Sequence, residues 1–485
     1  VRVVSSAPVV EPAPGVESTP EVESAPAVES APAVESATAV ESAPAVESAP
    51  AVESATAVES ATAVESATAV ESATAMESAP VVESATVVES ATVVESAPVV
   101  ESAPEPTESA GLYVHVPFCS AVCPYCDFAV QIGSASERTA FGALLRAEAA
   151  LWSAWDRPID TVYVGGGTPS RLDPGQLEPV LAALRSELPV RSDAELFLEA
   201  NPEDVTPGRV GEWRALGVSF LSLGVQSFHD DELRALGRRH DGREARSAVE
   251  TSLEGGFDTV SVDLMFGLPG QEPAAWSRNL DIVLGLGPGH ISCYQLTIHE
   301  GTAFGRRRAR GRLTEMDESG QADFFASTHA RLADAGWAAY EVSNFARAPR
   351  HRSRHNLKYW RHAPYLGLGP SAHSFDGTRH RWWNHRMLND YARCIARGER
   401  AVEADETLDG EALALEALML GLRTVEGIDL PRYRLRYGVD LHGLNRPLIA
   451  TLAEEGLVQC EAGALRPTRR GLAVADGLAA RFRLA

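Results

Sequence analysis

No run of about 18 apolar residues occurs in the 485 positions, so no helix that crosses a membrane is expected. The first residues, V-R-V-V-S-S-A-P, are too short for the apolar core of a signal peptide. Cysteine is scarce, with six in the whole chain, which excludes a disulfide framework and fits a reducing, cytoplasmic setting. The first 110 residues lack aromatics and Asp altogether, and set one Arg against 19 Glu. Such a segment cannot bury enough apolar surface to offset the entropy of ordering it.

What that segment does contain is a hexapeptide repeat, V-E-S-A-[PT]-[AV], from about Val16 to Ala103. Six-residue periods also build β-helices. Recurrent Pro and the lack of Gly at turns favour instead an extended, self-repelling acidic tail over residues 1–110. The tail carries −18 of the net charge of −24, leaving −6 to the other 375 residues. That remainder, with bases and acids interspersed, predicts no nucleic-acid partner and at most peripheral contact with a membrane.

The chemistry concentrates in Gly111–Phe128, G-L-Y-V-H-V-P-F-C-S-A-V-C-P-Y-C-D-F. Cys119, Cys123 and Cys126 follow an apolar strand in a C-x3-C-x2-C spacing. Soft thiolates on so short a loop suit zinc or an iron–sulfur cluster. A cluster with one iron left open needs only these three ligands. Zinc would need a fourth, for which His115 is the nearest candidate, and Cys123 with Cys126 alone would make a redox dithiol.

Beyond Leu112, β-rich runs alternate with amphipathic helical stretches. Strands are expected at Leu112–Val116, Thr161–Val164, Glu195–Glu199, Phe220–Val225, Thr259–Met265 and Ile291–Thr297, with helices such as Ala140–Trp155, Gly175–Leu188 and Ala274–Leu286 between them. The alternation predicts an α/β protein whose parallel sheet is covered by helices. Polar and glycine-rich positions fall where strands end, which is where such sheets build sites. Gly165-Gly166-Gly167-Thr168-Pro169 lets backbone approach a ligand closely. Glu199 precedes Asn201-Pro202, Gln226 ends the fourth strand, and Asp263 lies inside an apolar strand and needs a partner, for which Arg238 is one candidate. Arg306-Arg307-Arg308-Ala309-Arg310 reads as a solvated basic loop.

The motif Y-V-H-V-P-F-C-x3-C-P-Y-C-D-F resembles the cluster loop of radical S-adenosylmethionine (SAM) enzymes. The similarity is to the branch that holds oxygen-independent coproporphyrinogen III dehydrogenase and HemW-type heme chaperones, and it covers residues 111–485. It implies a three-quarter (βα)6 barrel and a [4Fe–4S] cluster on Cys119, Cys123 and Cys126. SAM would sit on the open iron, contacted by Tyr113, Gly166, Gly167, Thr168, Glu199, Gln226, Arg238 and Asp263. An electron from a donor protein to the cluster would cleave SAM to methionine and a 5′-deoxyadenosyl radical.

Further on, His355, Asn356, Tyr359 and Trp360 match the H-N-x-x-Y-W pattern of the heme chaperones, which implies heme contact. Imidazole is a good iron ligand, and flat aromatic faces suit a macrocycle. The dehydrogenases carry a fourth cysteine where this chain has Phe128. The resemblance therefore favours a chaperone that binds heme and hands it to apo-proteins such as respiratory enzymes, with coproporphyrinogen decarboxylation as the alternative and a homodimer possible. Residues 111–345 would form the barrel, 346–405 the heme-binding and connecting region, and 406–485 a small helical, winged-helix-like domain. That last segment is expected to hold helices at Gly410–Arg423 and Pro447–Glu455, then a turn and a third helix within Leu465–Arg481.

Overall fold

A computed structural model describes residues 109–485, and the repeat segment lies outside the described residues. Six strands run parallel and side by side in chain order: β1 (Ala110–Val116), β2 (Ile159–Gly166), β3 (Val190–Ala200), β4 (Val218–Gln226), β5 (Thr259–Phe266) and β6 (His290–Gln295). All of β1 and β5 is buried, as a sheet covered on both faces requires. Leu112 lies beside Val162, Val162 beside Leu196 and Leu221 beside Val260, so their side chains form one core with the covering helices.

The helices begin and end where local chemistry dictates. Ser134 and Glu137 form a reciprocal capping box, which starts the first helix at Ala135, five residues before the apolar periodicity suggests. Asp241 and Glu244 do the same for Gly242–Glu254. Pro273 opens the helix Pro273–Leu286, and Gly287, at φ 71°, closes it in the left-handed conformation.

One strand is not legible in the sequence. Tyr365–Leu368, which reads as the start of a glycine-rich turn, pairs in parallel with the free side of β1. A Cβ on Gly367 would meet the His373 carbonyl oxygen at 2.1 Å, so glycine here serves close backbone packing inside a sheet. Antiparallel strands His373–Phe375, His380–Asn384 and Val402–Thr407 extend that edge, and Asn344–Ala346 and Ala338–Ala339 extend the other. The result is a mixed sheet of twelve strands.

The C-terminal segment has its own apolar cluster around Leu418, Leu422, Ile449, Leu452, Leu465 and Phe482. Helices Gly410–Leu422, Leu430–Tyr437 and Leu441–Glu454 pack with a three-stranded antiparallel sheet of Ile428–Asp429, Ala464–Pro467 and Val458–Glu461. The helix expected from Pro447 is the second half of Leu441–Glu454, which kinks at Asn445 (φ −120°). Leu465 lies in a strand, because its side chain fills this cluster, and two short helices, Arg469–Leu472 and Ala475–Ala479, follow.

Candidate cofactor cleft and the opposite end of the sheet

The carboxyl ends of β1 to β6 surround an open cavity holding about 1430 Å³ of non-atom space out to its mouth. Its walls include all three loop cysteines and Tyr113, Gly166, Gly167, Thr168, Glu199, Gln226, Arg238 and Asp263. Eleven residues expected to serve the cluster and SAM therefore share one cleft, although they span positions 113 to 263.

The cysteine loop is fastened at both ends. His115, at the end of β1, reaches across to the far end of the loop: Nε2 bonds the Ala129 carbonyl (3.0 Å), while Nδ1 meets the Tyr113 hydroxyl (3.2 Å) in the same strand. Burial lowers its pKa to about 4, so it is a neutral clamp on the loop. With both nitrogens engaged, His115 is not a fourth thiolate-side ligand. Among the described residues no three Cys, His, Asp or Glu close around one ion. The cysteines line a cavity wall, which suits a polynuclear group that meets each sulfur with a different metal atom.

Burial raises the Cys119 thiol, with the Thr168 hydroxyl (3.5 Å) acting in the opposite direction, and pushes Cys126 up to about 12. Buried thiols of this kind lose their protons to a bound metal. A Cβ on Gly167 would stand 3.0 Å from Cys119 Sγ and from the Phe118 and Val116 oxygens, so glycine lets the strand edge meet the loop. Gly166 sits at φ 109°, where a Cβ would strike the His115 ring at 2.8 Å.

Two carboxyls line the cavity floor. Glu199 accepts from the Tyr163 hydroxyl (2.6 Å) and the Gly166 N–H (3.1 Å), and burial raises its pKa to about 7. Asp263 is also raised by burial, and its oxygens accept from Ser222 (3.0 and 3.1 Å) and Ser261 (3.2 Å). The Asp263–Arg238 pair suggested by the sequence is not formed. Arg238 instead donates to Asn201 Oδ1 (2.6 Å) and the Gly224 carbonyl (2.7 Å), with its other terminal nitrogen 3.7 Å from Cys123 Sγ. The serines, rather than a charged partner, satisfy Asp263.

Gln226 holds a strained position on the cleft wall. It holds φ 67°, a left-handed conformation that non-glycine residues adopt at a cost of about 1–3 kcal/mol, beside a register shift in β4. Its amide oxygen is buried with no protein donor. Together with two raised carboxyls and a glycine cradle, that acceptor suits a ligand bearing an ammonium group and hydroxyls, as SAM does.

The H-N-x-x-Y-W segment lies elsewhere. The helix Arg354–Trp360 covers the amino ends of the strands: the His355 ring fits against Gly111 at the start of β1, and Arg354 and Lys358 pair with Asp160 at 2.8 and 2.7 Å. His355 Nδ1 meets the Thr161 hydroxyl (2.9 Å) and Nε2 the Tyr359 hydroxyl (2.9 Å), so both ring nitrogens are engaged. The ring is 1% exposed, and burial lowers its pKa to about 3. Asn356, Tyr359 and Trp360 are buried as well, with the Arg423 guanidinium 5.5 Å from the Trp360 ring centre. His373, another histidine of that region, stacks on Trp383 at 5.7 Å.

Between the two ends, Tyr113, Tyr163, Phe197 and Phe220 form a stack of rings inside the sheet. Tyr163 joins the ends directly, since its hydroxyl holds Glu199 and its ring lies 5.1 Å from His355. His299 and Tyr294 also line the cleft but carry no spacing motif that marks them in the sequence.

The Radical SAM superfamily model matches residues 113–281, and the HemN C-terminal domain matches 408–474. The chain is 38% identical to heme chaperone HemW of Mycobacterium tuberculosis over 380 residues, covering 77% of this chain and 94% of that one. It is 32% identical to heme chaperone HemW of Bacillus subtilis, covering 74% and 95%. Among solved structures, coproporphyrinogen III oxidase (HemN) from Escherichia coli, a radical SAM enzyme, superposes with a TM-score of 0.67 at 22% identity over 78% of this chain and 90% of that one, which shows a shared fold. With matches that span almost the full length of these relatives, and the cysteine loop placed at the cleft, the chain belongs to the HemW-type family of radical SAM proteins.

Proposed function

We propose that the protein is a heme chaperone that carries a SAM-ligated [4Fe–4S] cluster and delivers heme to apo-proteins such as respiratory enzymes. The observation that carries this reading is the near full-length similarity to proteins named heme chaperones. Phe128 agrees with it, since it stands at the cleft where the dehydrogenases carry a further cysteine. Cys119, Cys123 and Cys126 would hold the cluster, while Glu199, Asp263 and Gln226 would bind the ammonium and hydroxyl groups of SAM, with Gly166, Gly167, Thr168 and Tyr113 shaping its seat. The bound cluster and SAM supply one-electron chemistry. Arg238 sets a positive charge beside Cys123, and His115 keeps the loop in register.

Heme would be received by His355, Asn356, Tyr359 and Trp360 at the opposite end of the sheet. Because both His355 nitrogens are engaged here, ligation by this ring requires the helix Arg354–Trp360 to release Thr161 or Tyr359. The sheet is read as a partial barrel, with residues 346–405 bearing the heme motif and 406–485 a winged-helix-like cap over it. Its working setting is read as cytoplasmic. No helix among the described residues is long and apolar enough to cross a membrane.

The test is anaerobic reconstitution with iron and sulfide, then heme titration and a coproporphyrinogen III assay on one sample. Stoichiometric heme binding without decarboxylation is expected. Efficient decarboxylation without stable heme binding would make the protein a dehydrogenase.

A further inference from the structure

Asp263 is the upper end of a longer row of hydrogen bonds. Alternate residues of a strand share a face, so Ser261 lies on the same side of β5 as Asp263, two positions nearer its amino end. Beside Ser261 in register stands His290, the first residue of β6. The Ser261 hydroxyl donates to Asp263 (3.2 Å) and meets His290 Nδ1 at 2.8 Å. His290 Nε2 meets the Tyr340 hydroxyl at 2.8 Å, and the Tyr340 oxygen accepts from the Ser353 N–H (3.2 Å). Ser353 in turn caps the helix Arg354–Trp360, its Oγ accepting from the Asn356 N–H (3.2 Å). Every residue of this row is buried, from Asp263 at the cleft floor to the helix that carries His355.

The row has a direction. Burial lowers the His290 pKa to about 3, so the ring is neutral and carries one N–H and one lone pair. Ser261 uses its single proton on Asp263, which places the imidazole N–H at Nδ1. Nε2 then accepts from the Tyr340 hydroxyl, and the Tyr340 oxygen is left to accept from Ser353. All protons thus point toward an ionised Asp263, and bonds in such a row polarise one another. A neutral Asp263 has a proton of its own to give. Given to Ser261, it turns the row round and leaves the Tyr340 proton with no acceptor in it. Burial favours that neutral form, whereas an ammonium or hydroxyl donor resting on Asp263 favours the ionised one.

We propose that this row couples the two ends of the sheet: SAM seated on Asp263 tightens the cap at Ser353, holds the His355 helix closed and so opposes heme. His290 and Tyr340 act as positioning residues between the two sites. The proposal rests on the reading above, in which SAM meets Asp263 and heme meets His355. Coupling of this kind is reciprocal, so heme weakens SAM binding by the factor by which SAM weakens heme binding. In a protein that hands heme on, SAM then favours release. Tyr163 also spans the two ends, holding Glu199 and packing on His355. The His355 nitrogens are taken by Thr161 and Tyr359, so that contact is ring packing and passes on no proton direction.

The experiment titrates heme into the reconstituted full-length protein by Soret absorbance, with and without saturating SAM, and dialyses SAM with and without heme. Hydrogen exchange over Arg354–Trp360, read by mass spectrometry with and without SAM, follows the helix with no heme present. The variants are Tyr340→Phe, which cuts the row, Tyr359→Phe, which loosens His355 and leaves the row whole, and His355→Ala. Expected in the wild type are heme binding about fivefold or more weaker with SAM, the same factor for SAM with heme, and slower exchange of the helix with SAM. Tyr340→Phe should bind both ligands and lose all three differences, while Tyr359→Phe keeps them. If Tyr340→Phe does not fold, Ser261→Ala makes the cut at the other end of the row. Equal heme affinity and equal exchange with and without SAM in the wild type would overturn the proposal. So would a SAM effect of full size in the cut variant, which would move the coupling to Tyr163. Heme bound as tightly by His355→Ala as by the wild type would sink the heme reading, and absent SAM binding the cleft reading; the proposal falls with either.

Discussion

Tyr359→Phe removes one oxygen atom, and that oxygen is the partner of His355 Nε2 at 2.9 Å. The phenyl ring keeps its edge-on contacts with His355 (5.2 Å) and Tyr365 (4.7 Å), so packing of the helix Arg354–Trp360 is retained. What is lost is a hydrogen bond to a ring nitrogen in a site 1% exposed, leaving that nitrogen buried without this partner. Such a loss costs about 1–3 kcal/mol. It falls on the closed arrangement alone if heme ligation requires His355 to leave it. A cost of about 1–2 kcal/mol moves the closed–open balance roughly 5- to 30-fold, and apparent heme affinity rises by the same factor. In the closed arrangement burial lowers the His355 pKa to about 3, so the ring that leaves it carries no proton. The assay is anaerobic heme titration by Soret absorbance on the wild type, Tyr359→Phe and His355→Ala. Tighter binding in Tyr359→Phe together with lost binding in His355→Ala is expected. Equal or weaker binding in Tyr359→Phe would refute the closed-lock reasoning.

Other outcomes follow from the same geometry. Gly166→Ala must place a Cβ at φ 109° and 2.8 Å from the His115 ring, so we expect a loss of about 2 kcal/mol or more in chemical denaturation and a much weakened SAM site by equilibrium dialysis. Glu148 is wholly buried, bonded by Tyr391, Asn384 and the Gly369 N–H, and its pKa is raised to about 7. A carboxyl raised in the folded state contributes stability that is present below the unfolded pKa near 4.5 and lost as pH rises through about 7. The stability of wild type relative to Glu148→Gln should thus fall by about 2–3 kcal/mol between pH 5 and pH 8, and parallel urea curves at the two pH values would contradict this. Deleting residues 1–108 should leave iron content, SAM binding and the heme titration unchanged; loss of any of them would make that segment part of the fold.

The cysteine spacing, the Gly-Gly-Gly-Thr-Pro turn and the βα alternation were readable because each is local. A thiolate triad needs only loop spacing, a close backbone approach needs only missing Cβ atoms, and a buried parallel strand needs only an unbroken apolar run. All six parallel strands overlap the stretches expected for them. The first helix began early because the Ser134–Glu137 capping box, visible in the sequence, outweighs apolar periodicity at a helix start. Tyr365–Leu368 escaped notice because a glycine inside a strand looks like a turn until the backbone it accommodates is in place.

The sequence by itself determined which residues could bind metal and cofactor, and the order in which strands and helices occur, since both follow from residue type and short-range periodicity. Only the tertiary structure decided their arrangement. It set His115 as a clamp on the cysteine loop and withheld the Arg238–Asp263 pair in favour of serines and a carbonyl. It put Arg306, Arg307 and Arg308 in a helix, Ala303–Ala309, against the cysteine loop, and it sent the H-N-x-x-Y-W helix to the far end of the sheet from the cleft. The physical reason is one: these outcomes depend on contacts between residues tens to hundreds of positions apart. Such contacts are selected by which buried polar groups can find partners once the chain has folded around them.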